Sequence, residues 1–281
     1  MYITIYHLQI FVIISYLALT LGVLIVKFVK PLNKLLDYGK NADLKTNSSP
    51  SSPSSEIVQF IADNAVVQKS WFTHFYICLF TLSTATYFQE CHKSMLGLND
   101  SATYKNLQII NKLLLAQGSR RMFESFFVTK FSPTSKMNVS HYLVGMAHYV
   151  LISTATYSGL EGNCGTSAAL TIVDYILMAF FGIASVQQFV THYQLANLQK
   201  YSLPNFKYSS SPHYTYEVII YTILMLFSLK NGFNTVSFMF IAGWLFVITN
   251  LSITALETYN YYHLKYKEDF KIQWAIFPGI L

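Results

Sequence analysis

Long apolar runs recur along the chain and alternate with short polar connections. An apolar helix of roughly 20 residues crosses about 30 Å of hydrocarbon, and most of the runs approach or exceed that length. The pattern predicts seven transmembrane helices, at residues 8–30, 71–88, 107–128, 139–157, 168–189, 216–229 and 233–256. The third run contains Arg120 and Arg121, and the sixth is short. We therefore expect an all-α integral membrane protein, a bundle of about seven transmembrane helices.

A polar segment separates the first apolar run from the others. Residues 42–56, ADLKTNSSPSSPSSE, are rich in Ser and Pro and almost free of large apolar side chains. Such a segment cannot bury enough apolar surface to fold, so it is expected to be a disordered cytosolic linker. The chain then divides into residues 1–70, a first transmembrane helix with this linker, and residues 71–281, a membrane-embedded domain that carries the chemistry.

Composition and charge agree with a lipid bilayer as the surroundings. The 281 residues are 53% apolar and 11% charged, so a soluble core could not hide the apolar surface. The net charge of +6 comes mainly from lysines in the connections rather than from one basic face with interleaved aromatic residues, which argues against a nucleic-acid partner. With a lumenal N-terminus, most of these lysines face the cytosol, as the positive-inside rule requires.

Several familiar catalytic motifs are missing. There is no GxGxxG after a strand, no GxxxxGK[ST], no HExxH, no paired CxxC and no GxSxG. The three cysteines have no metal-ligand spacing. A soluble nucleotide-binding fold, a resident metal and a serine nucleophile therefore have no support in the sequence.

The two arginines of the chain are adjacent, at Arg120 and Arg121, inside an apolar segment and one turn before Glu124. They could simply mark a helix end. A guanidinium is also the preferred partner of a phosphate in a low-dielectric site, and Glu124 at i+3 would hold Arg121 in place. The pair suggests a phosphate-bearing ligand such as NADPH.

Two further polar clusters lie near predicted helix ends. Gln188 and His192 share one helical face before a cytosolic connection, although an amphipathic exit from the membrane would look the same. His213 and Glu217 also share a face, one turn apart, so that the carboxylate can orient the imidazole. An aromatic belt at the interface is the alternative for the second cluster.

Aromatic and imidazole side chains also meet at two other membrane boundaries. The stretch SWFTHFY contains His74 and Tyr76, and ETYNYYHLKYKEDF contains Tyr259 and His263. Each stretch could be an interfacial belt.

Three of these blocks resemble one known family. SWFTHFY, QGSRRMFESFFVTKFS and the stretch from HYQLANL through YSSSPHYTYEVIIY are similar to blocks of the polyprenol reductase (polyprenal reductase) branch of the steroid 5-alpha-reductase family, and the resemblance extends from Trp71 to the last residue. It implies a seven-helix bundle in the endoplasmic reticulum membrane that encloses NADPH, opens to the cytosol and admits a lipid substrate laterally. The positions that match the family's cofactor contacts are Arg121, Gln188, His192, His213 and Glu217.

The catalytic positions depart from the family's pattern. His74 falls where steroid-type members have Gln, and Phe75 replaces the neighbouring catalytic Glu, which argues against a steroid substrate. The family's C-terminal His aligns with Tyr259, and the nearest imidazole is His263. The resemblance thus implies His74, Tyr76 and either Tyr259 or His263 as proton donors.

The chemistry of alkene reduction restricts the substrate. Hydride attacks carbon only where the resulting charge is delocalised; an allylic alcohol offers no such sink, whereas an α,β-unsaturated aldehyde develops an oxyanion that nearby donors stabilise. We expect NADPH-dependent reduction of the α-terminal double bond of polyprenol or polyprenal, with polyprenal as the immediate substrate, in dolichol biosynthesis for protein N-glycosylation. The alternatives are a reductase of another enone or enoyl lipid, such as a steroid or an enoyl-thioester, and a non-catalytic membrane protein.

Overall fold

The computed structural model describes residues 2–29, 32, 58, 60–61, 63–89, 100–163, 166–199 and 202–281. The Ser- and Pro-rich linker expected at residues 42–56 lies outside the described residues. Seven long helices are present in the described part: α1 Tyr2–Phe28, α2 Phe72–Phe88, α3 Ala102–Phe123, α4 Val139–Gly162, α5 Ile172–Asn197, α6 Pro212–Leu229 and α7 Thr235–Tyr266. They coincide in order with the seven predicted apolar runs.

Short elements connect the helices. A π-helical turn, Glu124–Val128, continues α3, and 3-10 turns at Lys69–Trp71 and Lys267–Asp269 lie before α2 and after α7. Strand β1, Val66–Gln68, pairs antiparallel with β3, Lys136–Asn138. Strand β2, Asp100–Ser101, pairs in parallel with β4, Thr166–Ser167.

Three of the described helices are long and apolar enough to cross a membrane: Thr4–Phe28, Ile172–Asn197 and Thr235–Asp269. The expectation of a mostly helical membrane protein is therefore confirmed, whereas seven crossings remain a prediction. Helix α3 shows why hydropathy alone is a poor guide here. Its polar residues Lys105, Asn106, Asn111 and Gln117 are buried against other helices rather than exposed to the surroundings.

The helix ends follow local sequence signals. Asn138 caps α4, with its side chain accepting a hydrogen bond from the Ser140 amide at 2.9 Å. Pro212 occupies the first turn of α6, where the missing N–H is not needed. Asn234 and Ser237 form a capping box at the start of α7.

Helix α3 lies at the centre of the bundle, packed against α2, α4 and α6. Helix α6 also contacts α5 and α7, while α1 packs on α4 and α7. Two glycines allow close approach: a Cβ on Gly118 would lie 3.0 Å from the backbone nitrogen of Phe80, and one on Gly145 would lie 2.6 Å from the ring of Phe75. Helix α2 therefore packs closely against both α3 and α4.

Ionic contacts join helices away from this centre. Lys105 Nζ lies 2.8 Å from Asp174 Oδ2, and Lys230 donates to the other oxygen of the same fully buried carboxylate. This cluster links the first turns of α3 and α5 to the turn after α6. Between α1 and α7, Lys27 pairs with Glu257.

The segment after α7 folds back onto the start of α6. The Ser210 amide donates to the Trp274 carbonyl at 2.9 Å, and the Thr215 hydroxyl donates to the Ile276 carbonyl at 2.7 Å. Ile276 itself is fully buried. These hydrogen bonds fix the first turn of α6, which carries His213, against the final segment.

Candidate active site

A fully buried carboxylate, Glu124, is the centre of the candidate site. It lies at the first residue of the π-helical turn, and such turns are frequent at functional sites. One carboxylate oxygen pairs with Arg120 and the other with Arg121. His192 Nδ1 lies 2.6 Å from the second oxygen. The expectation that Glu124 would position Arg121 thus extends to both arginines and to a histidine of α5.

Arg121 connects three helices. Its guanidinium donates to the hydroxyl of Tyr76 on α2, and its central carbon lies 4.5 Å from the Tyr76 ring centroid. Another guanidinium nitrogen lies 2.6 Å from His192 Nδ1 on α5. Since arginine nitrogens only donate, His192 Nδ1 accepts from Arg121 when it is unprotonated and donates to Glu124 when it carries hydrogen.

Arg120 organises a second set of hydrogen bonds. It donates to Gln117 Oε1 at 2.7 Å and to the side-chain oxygen of Gln188. Gln188 in turn donates to the carboxylate of Glu217 and, at 3.1 Å, to the backbone carbonyl of His213. The arginines of α3, the amide of α5 and the carboxylate of α6 therefore form one continuous polar cluster.

His213 lies beside this cluster. Its ring centroid is 5.6 Å from that of His192 and 4.1 Å from that of Tyr214. The structure thus brings together the five residues expected to contact a cofactor: Arg121, Gln188, His192, His213 and Glu217. Whether these residues bind a cofactor remains a prediction.

The four expected proton donors are not placed together. The hydroxyl of Tyr76 is in the cluster, whereas His74 is exposed and lies 3.2 Å, at Nδ1, from the Tyr142 hydroxyl. Tyr259 and His263 stack on each other on α7, with ring centroids 6.2 Å apart. In the described part of the chain, the hydrogen bonds and ring contacts of Tyr259 and His263 do not reach Tyr76 or Arg121.

Similarity to known proteins identifies the family. Residues 135–281 match the family described as 3-oxo-5-alpha-steroid 4-dehydrogenase. A polyprenal reductase of Saccharomyces cerevisiae is 34% identical over 254 residues, which cover 89% of this chain and 87% of the yeast protein. The chain belongs to the 3-oxo-5-alpha-steroid 4-dehydrogenase family. Two animal relatives are also polyprenal reductases: that of Caenorhabditis elegans is 26% identical over 88% of this chain and 86% of its own, and that of Drosophila melanogaster is 29% identical over 76% and 77%.

These matches confirm the resemblance to the polyprenal reductase branch. Membership of the 3-oxo-5-alpha-steroid 4-dehydrogenase family implies that the protein is an oxidoreductase. The matched region includes α4 to α7, and so Gln188, His192, His213 and Glu217. Tyr76 and Arg121, which complete the cluster, precede the region matched to the family.

A cleft of ≈ 330 Å³ lies beside the cluster in this family member. It is lined by α5, by the stretch that leads into α6, by the start of α6 and by one residue of the final segment, including Thr191, Lys207, Pro212 and Pro278. Thr191 precedes His192, so the cleft and the polar cluster share a turn of α5. Within the residues that the structure describes, no group of three or more His, Cys, Asp or Glu side chains is placed to hold a metal ion.

Sequence reasoning missed part of the cluster. Gln117 donates to Glu217 at 3.2 Å and accepts from Arg120, yet it was not among the expected site residues. Its position was readable, because it lies three residues before Arg120 and four before Arg121 on the same helical face. Tyr149, whose ring lies against Tyr76 at a centroid distance of 5.9 Å, carried no such signal.

Proposed function

We propose that the protein reduces the α-terminal double bond of a long-chain polyprenal with NADPH, in the endoplasmic reticulum membrane, as a step of dolichol biosynthesis that supports protein N-glycosylation. The observation that carries this proposal is the connection of Tyr76 to Arg121, and through Glu124 to His192, inside a bundle whose relatives are polyprenal reductases. One guanidinium thereby joins a proton-bearing phenol to the residues expected to contact the cofactor.

The polar cluster fits a nicotinamide dinucleotide by the chemistry of its donors. Guanidinium groups are well suited to phosphate oxygens, and two of them lie side by side in a largely buried setting. Arg120 Nε is a buried donor with no acceptor among the described residues, so an acceptor from a ligand would satisfy it. The residues that would hold NADPH are Arg121, Gln188, His192, His213 and Glu217.

When bound, NADPH supplies the hydride. The residues of the chain would then have to stabilise negative charge and deliver a proton. Tyr76 is suited to both tasks, because its oxygen accepts from Arg121 while its own proton remains available. The same guanidinium stabilises the phenolate left after proton transfer. His74 and either Tyr259 or His263 are further candidate donors, and Tyr76 ranks first because it lies in the cluster.

The aldehyde is the preferred substrate because of this donor set. A phenol can hydrogen-bond to a carbonyl oxygen as negative charge develops there, whereas an isolated allylic alcohol develops no such charge. Lateral entry of the lipid and a cofactor mouth on the cytosolic side complete the proposal.

The test is NADPH oxidation by the purified full chain in lipid nanodiscs. Polyprenal, polyprenol, a 3-oxo-4-ene steroid and an enoyl-thioester are offered separately, with His213→Ala as a cofactor-site variant and Lys130→Gln as a surface control. Turnover of polyprenal that His213→Ala abolishes and Lys130→Gln retains supports the proposal. Turnover of only polyprenol, the steroid or the thioester contradicts polyprenal as the substrate. Failure of the folded protein to bind NADPH contradicts the proposed reductase activity.

A further inference from the structure

Tyr149 occupies the boundary between two hydrophobic clusters of the bundle. It packs against the main core and also against the small cluster of Phe75, Tyr76 and Met137. Its ring centroid lies 6.1 Å from that of Phe75 and 5.9 Å from that of Tyr76. The residue is half-buried, so its side chain is neither sealed in the core nor free at the surface.

The hydroxyl of Tyr149 has no hydrogen-bond partner in the described part of the chain. The neighbouring interior phenols are all bonded: Tyr76 accepts from Arg121, and Tyr16 and Tyr221 both bond to His148. Phenol hydroxyls inside a protein usually have a hydrogen-bond partner, whereas the hydroxyl of the half-buried Tyr149 is left open to a ligand or to water. A polar atom of a bound molecule can therefore take up the hydrogen bond of Tyr149.

Hydrogen bonds of the neighbouring residue fix the backbone that carries Tyr149. The adjacent His148 is fixed on both ring nitrogens, with Nε2 at 2.7 Å from the Tyr221 hydroxyl and Nδ1 at 3.3 Å from that of Tyr16. Tyr16 also donates to the His148 carbonyl at 3.1 Å. One proton arrangement satisfies every group: Tyr16 donates to the carbonyl, His148 Nδ1 donates to Tyr16, and Tyr221 donates to Nε2. A glycine, Gly243, provides space for the Tyr16 ring.

The position of the Tyr149 phenol relates it to the candidate site. The aromatic contact between Tyr149 and Tyr76 places two phenols side by side, one bonded to a guanidinium and one unbonded. The unbonded phenol keeps both its proton and its lone pairs for a ligand.

We propose that Tyr149 is a second catalytic phenol, which donates a hydrogen bond to the aldehyde oxygen of the substrate while Tyr76 supplies the proton. The inference rests on the proposed function. When bound, NADPH would supply a hydride, two electrons and one hydrogen, to the β carbon, and the π electrons of the alkene would move to an enolate whose charge lies on the oxygen bonded by Tyr149. The Tyr76 O–H bond would then break as the new C–H bond forms at the α carbon, and one proton taken up from solvent would restore the phenol.

Each phenol is assigned its role by its neighbours. Arg121 stabilises the Tyr76 oxygen after the proton leaves, so Tyr76 is the better acid. Tyr149 has no such cation bonded to its hydroxyl and is suited to remain protonated as a donor to the oxyanion.

The experiment compares Tyr149→Phe with Tyr157→Phe in the full chain. Tyr157 is on the same helix, and its hydroxyl accepts only a long bond of 3.4 Å from Gln89. Loss of one oxyanion donor typically lowers kcat by about 10²–10³-fold, which we expect for Tyr149→Phe with polyprenal, with KM and NADPH affinity within about threefold of the wild type. Tyr157→Phe should retain wild-type kcat.

A third variant, Tyr149→His, keeps a ring with an N–H donor and should recover at least part of the lost kcat. Wild-type kcat in Tyr149→Phe overturns the inference, as does an equal loss of NADPH affinity, which would indicate a structural role. If Tyr149→Phe lowers the melting temperature, kcat is compared between the folded Tyr149→His and Tyr149→Phe variants. Equal kcat in the two variants overturns the inference. Should the wild type bind NADPH but not reduce polyprenal, the proposed function fails instead.

Discussion

Gln188 donates its side-chain amide to the Glu217 carboxylate and to the His213 carbonyl, and so joins α5 to the first two turns of α6. The same side chain accepts from Arg120 through its oxygen. An amide is suited to this position because it both donates and accepts. A carboxylate of the same shape could accept from Arg120 but could not donate to Glu217.

Gln188→Glu should therefore destabilise the protein and weaken NADPH binding. The substitution removes the Gln188 donor from the His213 carbonyl and from Glu217, which keeps its bond from Gln117. It also brings two carboxylates together, and an unsatisfied buried group alone costs about 1–3 kcal/mol. The measurements are the melting temperature and a fluorescence titration with NADPH. Gln199→Glu, on the exposed surface beyond α5, is the matched control. A Gln188→Glu protein with wild-type values in both assays would refute the bonding scheme.

Arg121→Lys should reduce NADPH affinity by about tenfold or more, because lysine keeps the charge but cannot hold several groups in fixed directions as the guanidinium fork does. Arg121 contacts Tyr76, Glu124 and His192 at once. Isothermal titration with NADPH measures the change. Lys130→Gln, which loses an exposed contact to Asn197, serves as the reference. Equal affinity in Arg121→Lys and wild type would show that only the charge matters.

Tyr76→Phe should lower kcat for polyprenal by about 10²–10⁴-fold, the usual contribution of a positioned acid. The ring and its contact with Tyr149 are retained, so folding and NADPH affinity should change little. Stopped-flow measurement of NADPH oxidation gives kcat, and the solvent isotope effect reports proton transfer. Unchanged kcat in a folded Tyr76→Phe protein would transfer the acid role to His74, Tyr259 or His263.

Asp174→Asn should lower the stability of the protein without affecting cofactor binding. The substitution leaves Lys105 and Lys230 facing each other without their carboxylate, and removal of one partner of a buried ion pair costs about 3–5 kcal/mol. Asp174 and His192 are 18 residues apart on α5, about 27 Å along a helix that rises 1.5 Å per residue.

Thermal unfolding in detergent measures this loss, with the exposed Glu268→Gln as control. A wild-type melting temperature in Asp174→Asn would show that the ion pairs of Asp174 with Lys105 and Lys230 do not stabilise the fold. A loss of NADPH affinity in the folded variant would show that the two ends of α5 are coupled.

The positions of the helices could be predicted from apolar runs because each helix carries most of its apolar residues consecutively. The start of α3 could not be predicted this way. Helix α3 begins at Ala102, five residues before the predicted run, and its first turns bury Lys105 and Asn106. Lys105 is accommodated by Asp174 on a different helix, and hydropathy along one segment contains no information about such a partner.

The candidate site could likewise be predicted only in part from the sequence. Arg121, Gln188, His192, His213 and Glu217 were predicted from spacing and resemblance, and helix packing brings them into one cluster. The contact of Arg120 with Gln188, across 68 residues of sequence, depends on how α3 lies against α5. Tyr149 is one of many tyrosines in the chain, and only its unbonded hydroxyl beside Tyr76 distinguishes it.

The close contact of Gly145 with Phe75 sets the spacing between α2 and α4. Phe75 precedes Tyr76 on α2, and Gly145 lies one turn before Tyr149 on α4. Because position 145 has no Cβ, the two helices, and with them the two phenols, lie close together. A larger residue at position 145 would push α2 away from α4 and so move Tyr76 away from Tyr149. Position 145 therefore controls the distance between the two phenols without itself carrying a reactive group.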